Sequence, residues 1–326
     1  AASALGEGCA AFTGDYQIRR RPIGALIEAC NNLGANVFST RNNGCAPVIV
    51  KGKLRGGSTA LDCGATSQYL SSLLISTPFA ESSSNITLLR LNEAPYVEIT
   101  LRWLDKLGIR YENKDLKEFY IPGGQRIEGF EASISGDFSS ATFFMVLAAI
   151  SGGQFTLKNL DMNDSQGDKR VLDILKEMGA KVDINQDSII IKGNGLKGME
   201  IDMNSIPDAL PAMAVAGCFA EGETKLVNVP QARLRETDRI HVMYKELKKM
   251  GADIIELPDG LVIKHSRLEG CRVCGHGDHR VVMALAVAGL CTDGDTIIDT
   301  AEAASVTFPE FTEFIESCNG NIEITE

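Results

Sequence analysis

Apolar positions along the chain alternate between two kinds of helix and a set of short strands. Five segments read as amphipathic helices that end near a glycine: LIEACNNLGANVF, TLRWLDKLGIRYE, VLDILKEMGAKVDI, VMYKELKKMGADII and FTEFIESCNGNIEI. In the third, Val171, Leu172, Ile174, Leu175 and Met178 fall on one stripe. The glycines are Gly34, Gly108, Gly179, Gly251 and Gly320, spaced by 74, 71, 72 and 69 residues. Each stands where a left-handed C-cap is wanted. The short alternating runs that follow, such as KVDI and SIIIKG, predict a hairpin. A second helix precedes each of these. SSATFFMVLAAIS, DALPAMAVAGCFA and HRVVMALAVAGL are apolar nearly all round and are predicted to be buried, with TSQYLSSLLISTPF a more polar relative. Strands QFTLKNL, TKLVNV, TIID and ITLLRL come next. The unit is therefore β-α-β-α-β-β, repeated about every seventy residues. Only about half a unit fits before Gly34, so a fold of such units is expected to extend before Ala1.

The polar residues fall on this frame in register. Thr66, Asp137, Asp208 and Asp278 lie 42 or 43 residues before their glycines, at the start of the buried helix. A second polar corner lies 11 to 15 residues before the glycine. It holds Arg21-Pro22, Pro95-Tyr96, Gln166-Gly167-Asp168, Glu236-Thr237-Asp238 and Phe308-Pro309. Helix N-termini present unpaired backbone N–H groups, and each stabilises a nearby anion by ~0.3–1 kcal/mol. Units packed around a pseudo-symmetry axis would gather several such N-termini in one region. N-capping alone accounts for an aspartate at a helix start. It does not account for arginines and a glutamate at the same corners.

Composition narrows the choice. A chain of 326 residues predicts two domains. The net charge of −11 and the lack of a basic stripe with interleaved aromatics argue against nucleic acid as a partner. The longest apolar runs, such as Met283 to Cys291, are too short to cross a bilayer, and AASALGEGCAAF lacks the basic start of a signal peptide. Nine cysteines without framework spacing suggest reduced thiols and a cytoplasmic location. The stretch CRVCGHGDHR has the look of a zinc site. Yet Cys271 and Cys274 stand three apart on a predicted strand and so face opposite sides, while Asp278 is the repeat equivalent of Asp137 and Asp208. No metal or other cofactor is expected.

The stretches RRRPIGALIEA, TSQYLSSLL, GDFSSATFF, SQGDKRVLDILKEMGA, MNSIPDALPAMA, ARLRETDRI and GHGDHRVVMALAVAGL together resemble the 5-enolpyruvylshikimate-3-phosphate synthase family, in order along the whole chain. RETDRI, GHGDHR and SVTFP look most like its archaeal branch. The resemblance implies a two-domain inside-out α/β barrel built from β-α-β-α-β-β repeats, here with the first repeat truncated. It puts the junction at Ile134-Ser135, so that 1–134 is an incomplete shikimate-phosphate-side domain and 135–326 a second domain of three repeats. It also implies a shikimate-pathway enzyme, a monomer at full length. Such an enzyme moves the enolpyruvyl group of phosphoenolpyruvate to the 5-hydroxyl of shikimate 3-phosphate and releases phosphate. That chemistry needs arginines for a carboxylate and phosphates, a base for the hydroxyl and an acid for the methylene carbon. It also needs domain closure to exclude water.

Carried over by position, Arg21, Arg239 and Arg280 would grip phosphoenolpyruvate, and Thr66, Ser67 and Gln68 would contact the shikimate phosphate and ring. Asp208 would be the base, Glu236 would deliver the methylene proton, and Arg235 would lie beside the shikimate hydroxyls. The family's Lys-Ser and a later Arg, and its Asn-x-Gly-Thr loop, would lie before Ala1. Three positions depart from the pattern. Arg235 and Val306 stand where many members have lysine, and Glu93 stands where many have a serine that meets the phosphate. A carboxylate ~5 Å from a phosphate charge costs on the order of 3 kcal/mol at an effective dielectric of ~20, so either Glu93 turns away or affinity falls. Two other functions compete: a UDP-N-acetylglucosamine enolpyruvyl transferase, which has the same fold, and an inactive remnant that only binds ligand. No cysteine here sits in a motif matching the reactive loop cysteine of the former.

Overall fold

The computed structural model describes residues 1–325. The chain separates into two compact units, Ala1–Ser133 and Ile134–Glu326. Each has its own apolar core. Residues 1–133 begin with β1 (Cys9–Phe12), α1 (Gly24–Asn32), β2 (Asn36–Ser39) and β3 (Val48–Lys51), which form an antiparallel sheet of order β1-β3-β2. One full repeat follows: β4 (Gly57–Cys63), α2 (Gln68–Ser76), β5 (Ser84–Leu91), α3 (Ala94–Lys106), β6 (Glu112–Lys114) and β7 (Glu118–Ile121). β4 runs parallel to β5, and the β6–β7 hairpin adds antiparallel to β5. Parallel pairing of β4 with β5 needs a crossover, and α2 supplies it.

The second unit holds three repeats. The first has α4 (Phe138–Ser151), β8 (Gln154–Lys158), α5 (Arg170–Glu177), β9 (Lys181–Ile184) and β10 (Ser188–Lys192). Its leading strand is reduced to a single backbone bond, Gly136 N–H to the Asn159 carbonyl at 2.6 Å. The next is complete: β11 (Glu200–Asp202), α6 (Leu210–Phe219), β12 (Glu223–Val227), α7 (Arg239–Lys249), β13 (Asp253–Leu257) and β14 (Gly260–Lys264). Its sheet order, β11-β12-β14-β13, repeats the order β4-β5-β7-β6 strand for strand. The last has β15 (Arg272–Cys274), α8 (His279–Leu290), β16 (Ile297–Asp299) and α9 (Phe311–Ser317). The strands of both units form five separate small sheets among the described residues, so the repeats build mixed α/β layers without barrel closure, in keeping with the inside-out α/β fold expected.

The predicted buried helices are buried. In α6 every residue from Leu210 to Cys218 is enclosed, and α4, α6 and α8 pack against one another at the centre of the second unit. Burying a side chain the size of Leu210 or Met213 stabilises by about 1.5–3 kcal/mol. This packing fixes where the three helices begin. The amphipathic helices end as predicted in the first four repeats, where Gly34, Gly108, Gly179 and Gly251 have positive φ. In the last repeat the left-handed residue is Asn319, at φ 61°, one place before Gly320. Its backbone bonds are those of the other four ends, Asn319 N–H to Glu316 O at 2.9 Å and Gly320 N–H to Ile315 O at 2.9 Å. Residues 321–325, expected as strand, form none.

Candidate active site

Three carboxylates and three arginines meet where α6, α7 and α8 begin. Asp278 caps α8 and accepts from the Arg280 N–H at 2.9 Å. Asp137 caps α4 in the same way through the Ser139 and Ser140 N–H groups. Asp208 differs from both. It lies inside a 3-10 turn, Pro207–Ala209, whose N-cap is Ile206, so its carboxylate is not spent on its own helix. It accepts instead from Arg239 Nη1 at 2.7 Å and pairs with Arg280 Nη2 at 3.1 Å.

Arg239 is the hub. As the first residue of α7 it is only 1 % exposed. Its Nε donates to Asp278 Oδ2 at 2.8 Å, and its Nη2 to Glu236 Oε2 at 2.7 Å and to Asp278 Oδ1 at 3.2 Å. Its planar fork makes four bonds to three carboxylates, one more than the three donors of an ammonium allow. The Glu236–Arg239 pair has helical i,i+3 spacing, but Glu236 lies ahead of α7, so it is not a rung along a helix face. Arg239 was expected to grip phosphoenolpyruvate. Its donors here face protein carboxylates, because three of them converge on one buried guanidinium. Thr237 Oγ1 adds a bond to Asp278 Oδ2 at 3.1 Å.

The clustered charges shift the site's groups away from their ordinary pKa ranges. Burial works to raise the Asp208 carboxyl, but Arg280, Arg239 and Arg235 together hold it well below the usual carboxylate range. Asp278 is likewise lowered: burial opposes ionisation, and Arg239 overrides it. Burial would release the Arg239 proton more easily, yet Asp278, Asp208 and Glu236 push its pKa up instead. The His279 imidazole, buried beside Arg280 and Arg239, is held below the usual histidine range. Arg280 keeps one donor in reserve: its Nε is buried and without a hydrogen-bond partner among the described residues.

Neighbouring residues brace this network. Arg233 clamps the loop ahead of α7, reaching Asp238 Oδ2 at 2.7 Å, Glu256 Oε1 at 2.8 Å and the Leu257 carbonyl at 2.6 Å. Glu246 on α7 is fully buried. It accepts from Lys249 Nζ at 2.6 Å and from the Cys274 N–H at 3.0 Å, and it bonds His276 Nε2 at 2.9 Å. Glu246 thereby ties the loop carrying Asp278 and Arg280 to the helix carrying Arg239. His276 and Cys274 of the zinc-like stretch are engaged in this latch, and no group of three or more metal-ligating side chains stands together among the described residues. All nine cysteines are free.

Residues 1–133 hold the other expected site residues. Tyr69 on α2 donates its hydroxyl to the Pro22 carbonyl, which ties the segment after Arg21 to the start of α2, where Thr66, Ser67 and Gln68 stand. Ser67 is fully buried and its side chain makes no capping bond to α2. The Gln68 N–H at the start of α2 goes instead to Thr66 Oγ1, at 3.3 Å. Of the two outcomes expected for Glu93, turning away is not the one seen: its Oε2 accepts from Ser67 N–H at 3.4 Å, Ser67 Oγ at 3.4 Å and Thr66 Oγ1 at 3.5 Å. The reason is geometric. Glu93 is the N-cap of α3 in a left-handed conformation, φ 60° and ψ 42°, which aims its side chain inward. Val306 is 76 % exposed at the end of a 3-10 turn, Ala301–Val306.

Glu246 and Arg233 were not singled out from sequence, and Thr237 was named only as part of a polar corner. Glu246 sits in YKELKKM with Lys249 three places on, a pattern that reads as a surface ion pair. Only the packing of the 275–277 loop reveals its burial. Asp278 had a signal in its repeat equivalence to Asp208, but was read as a cap.

The family model for EPSP synthase (3-phosphoshikimate 1-carboxyvinyltransferase) matches residues 1–315. A protein of Acetivibrio thermocellus named 3-phosphoshikimate 1-carboxyvinyltransferase is 64% identical over 324 residues, covering 99% of this chain and 76% of that protein. One of the same name from Methanococcus vannielii is 42% identical, covering 99% and 77%. The archaeal likeness expected from the motifs is thus real but lower than that to a clostridial protein. A solved structure of EPSP synthase from Acinetobacter baumannii superposes with a TM-score of 0.82 at 29% identity, covering 99% of this chain and 76% of that one. No helix among the described residues is long and apolar enough to cross a membrane. The matched model, the curated relatives and the shared fold place this chain in the EPSP synthase (3-phosphoshikimate 1-carboxyvinyltransferase) family.

Proposed function

We propose that the protein transfers the enolpyruvyl group of phosphoenolpyruvate to the 5-hydroxyl of shikimate 3-phosphate and releases phosphate, in the cytoplasm. The observation that supports this most is the Asp208–Arg280 pair at 3.1 Å beside a buried, unpartnered Arg280 Nε. An arginine with a spare buried donor is ready for a carboxylate or phosphate. When such an anion takes Arg280, Asp208 loses part of the field that holds its pKa down and becomes a stronger base.

Asp208 takes the proton of the attacking hydroxyl as its oxygen bonds to C2 of phosphoenolpyruvate. Glu236 must first take up a proton, which it then puts on the C3 methylene, becoming a carboxylate. The product keeps a carbon–carbon double bond, so a C3 proton returns to the Glu236 carboxylate as the C2–O bond breaks and phosphate leaves. Arg239 organises Asp208, Glu236 and Asp278 around this step, and meets the substrate only where a carboxylate lets go. Arg235 attends the acceptor hydroxyls. In the first unit Arg21 meets phosphoenolpyruvate, and Thr66, Ser67 and Gln68 meet the acceptor. A UDP-sugar acceptor is set aside because relatives 64% identical are named 3-phosphoshikimate 1-carboxyvinyltransferase. Arg280→Ala tests the reading. It should raise the KM for phosphoenolpyruvate at least about tenfold, the scale of one lost charge-assisted hydrogen bond. An unchanged KM removes Arg280 from the site.

A further inference from the structure

Each buried helix of the second unit has to be held at its start. At α4 the Asp137 carboxylate accepts from the Ser139 and Ser140 N–H groups, and at α8 Asp278 accepts from the Arg280 N–H. α6 is built differently. The capping positions of its 3-10 turn and of the helix are Ile206 and Ala209, whose side chains offer no acceptor. Asp208, the repeat equivalent of Asp137 and Asp278, faces Arg239 and Arg280. The loop from β11 to Pro207 does the holding. Its Met203 N–H donates to the Val227 carbonyl of β12 at 3.0 Å, its Ile206 N–H to the Met203 carbonyl at 3.1 Å, and its Asn204 N–H to Asp202 Oδ1 at 2.9 Å. Those bonds stay within one repeat. Arg170, the first residue of α5, reaches in from the preceding repeat: its Nη1 donates to the Asp202 carbonyl and to Ser205 Oγ, both at 3.1 Å.

We propose that Arg170 is a positioning residue for Asp208. Through the Asp202 carbonyl and the Ser205 hydroxyl it sets where the Asp208 carboxylate stands against the attacking hydroxyl. This role presupposes the proposed reading that Asp208 is the base. Its support is the path from Ser205 to Asp208. Ile206 and Pro207 alone lie between them. Both are buried, and the proline ring locks its own φ. Such a link does not absorb a shift of Ser205, so the shift reaches the carboxylate. Nη1 of a guanidinium carries two N–H groups, one for each of the two oxygens. Arg170 is itself exposed, and an exposed side chain adds little to folding. Its loss is therefore felt in the placement of Asp208 rather than in stability. A misplacement of ~1 Å costs about 10²-fold in rate. The loop's own bonds hold the shift below that, so removing Arg170 is expected to cost about tenfold.

The test is steady-state phosphate release with shikimate 3-phosphate and phosphoenolpyruvate each varied, in the wild type, Arg170→Ala, Ser205→Ala and the double variant, with circular dichroism reporting the fold of each. Arg170→Ala is expected to lower kcat about tenfold and to leave each KM within about twofold of the wild type, the signature of a group misplaced for the chemical step. Ser205→Ala should lower kcat a few-fold, since the Asp202 carbonyl still holds Arg170. The double variant should fall no further than Arg170→Ala, because both changes break one path. An unchanged kcat in either folded single variant overturns the proposal. So does a raised KM at unchanged kcat, or a double variant whose loss is the product of the two single losses. Should Arg170→Ala fail to fold, Ser205→Ala decides by itself, as it removes one hydroxyl. Asp208→Ala separates the two possible failures. If it abolishes release while Arg170→Ala and Ser205→Ala change nothing, the role of Arg170 alone falls. If Asp208→Ala releases phosphate at the wild-type rate, the base assignment fails and the role of Arg170 falls with it.

Discussion

Replacing Asp278 by asparagine separates the two tasks of this side chain. Asparagine is as good an N-cap as aspartate, so the 2.9 Å bond from the Arg280 N–H survives. The charge facing Arg239 does not. Arg239 donates to Asp278 at 2.8 and 3.2 Å, and both residues are almost wholly enclosed. A charge pair ~3 Å apart attracts by about 5 kcal/mol at an effective dielectric of ~20. Removing one partner of a buried pair leaves the other charge uncompensated and destabilises by about 3–5 kcal/mol. Asp208 and Glu236 still hold Arg239, so the lower end is expected. Amide hydrogen exchange in α7 and α8 reads this directly, and a loss of ~3 kcal/mol speeds exchange through opening of these helices by about 150-fold. The direction with pH follows from the lowered Asp278 pKa. The pairing energy is fully present above the unfolded-state value of about 3.9 and is lost as pH falls through the lower folded value. The gap between wild type and Asp278→Asn should therefore close as the pH drops below about 4. A change of less than about 0.5 kcal/mol at pH 7, the range of an ordinary surface substitution, would refute the view that Asp278 anchors the network by charge rather than by capping.

Glu246→Gln should leave kcat nearly unchanged while raising the KM for phosphoenolpyruvate several-fold, because the latch positions the loop bearing Arg280 and touches no reacting atom. Equal losses in kcat and kcat/KM would give Glu246 a different task. Asp208 should titrate below the usual carboxylate value of about 3.9 in the free protein, as followed by carboxyl 13C NMR assigned with Asp208→Asn, and should move up toward that value when phosphoenolpyruvate is bound. Titration near 4 in the free protein would contradict the pairing with Arg280 and Arg239.

Much of the repeat was legible because its signals are local. An apolar stripe with a left-handed residue after it encodes each amphipathic helix, and a wholly apolar helix such as α6 has nowhere to go but the interior. What failed was non-local. Residues 321–325 have strand pattern, yet they pair with no strand among the described residues, and pattern without a partner makes none. Gly320 itself was read one place out of register, because Asn319 serves as the left-handed residue there. At the site, the corners were visible as polar residues in register. The way Asp208 escapes capping was not, since that depends on the 3-10 turn ahead of α6. The inward turn of Glu93 was not decided by the sequence for the same kind of reason: a left-handed N-cap aims the side chain, and no spacing rule announces it.

The central claim is a transfer that consumes both substrates at the Asp208–Arg239–Arg280 network. Phosphate release is the most direct measure of it, with shikimate 3-phosphate and phosphoenolpyruvate supplied together and each alone, in the wild type and in Asp208→Ala. Release that needs both substrates and is lost in Asp208→Ala is the predicted result. Release from phosphoenolpyruvate alone, or release undiminished in Asp208→Ala, would contradict it.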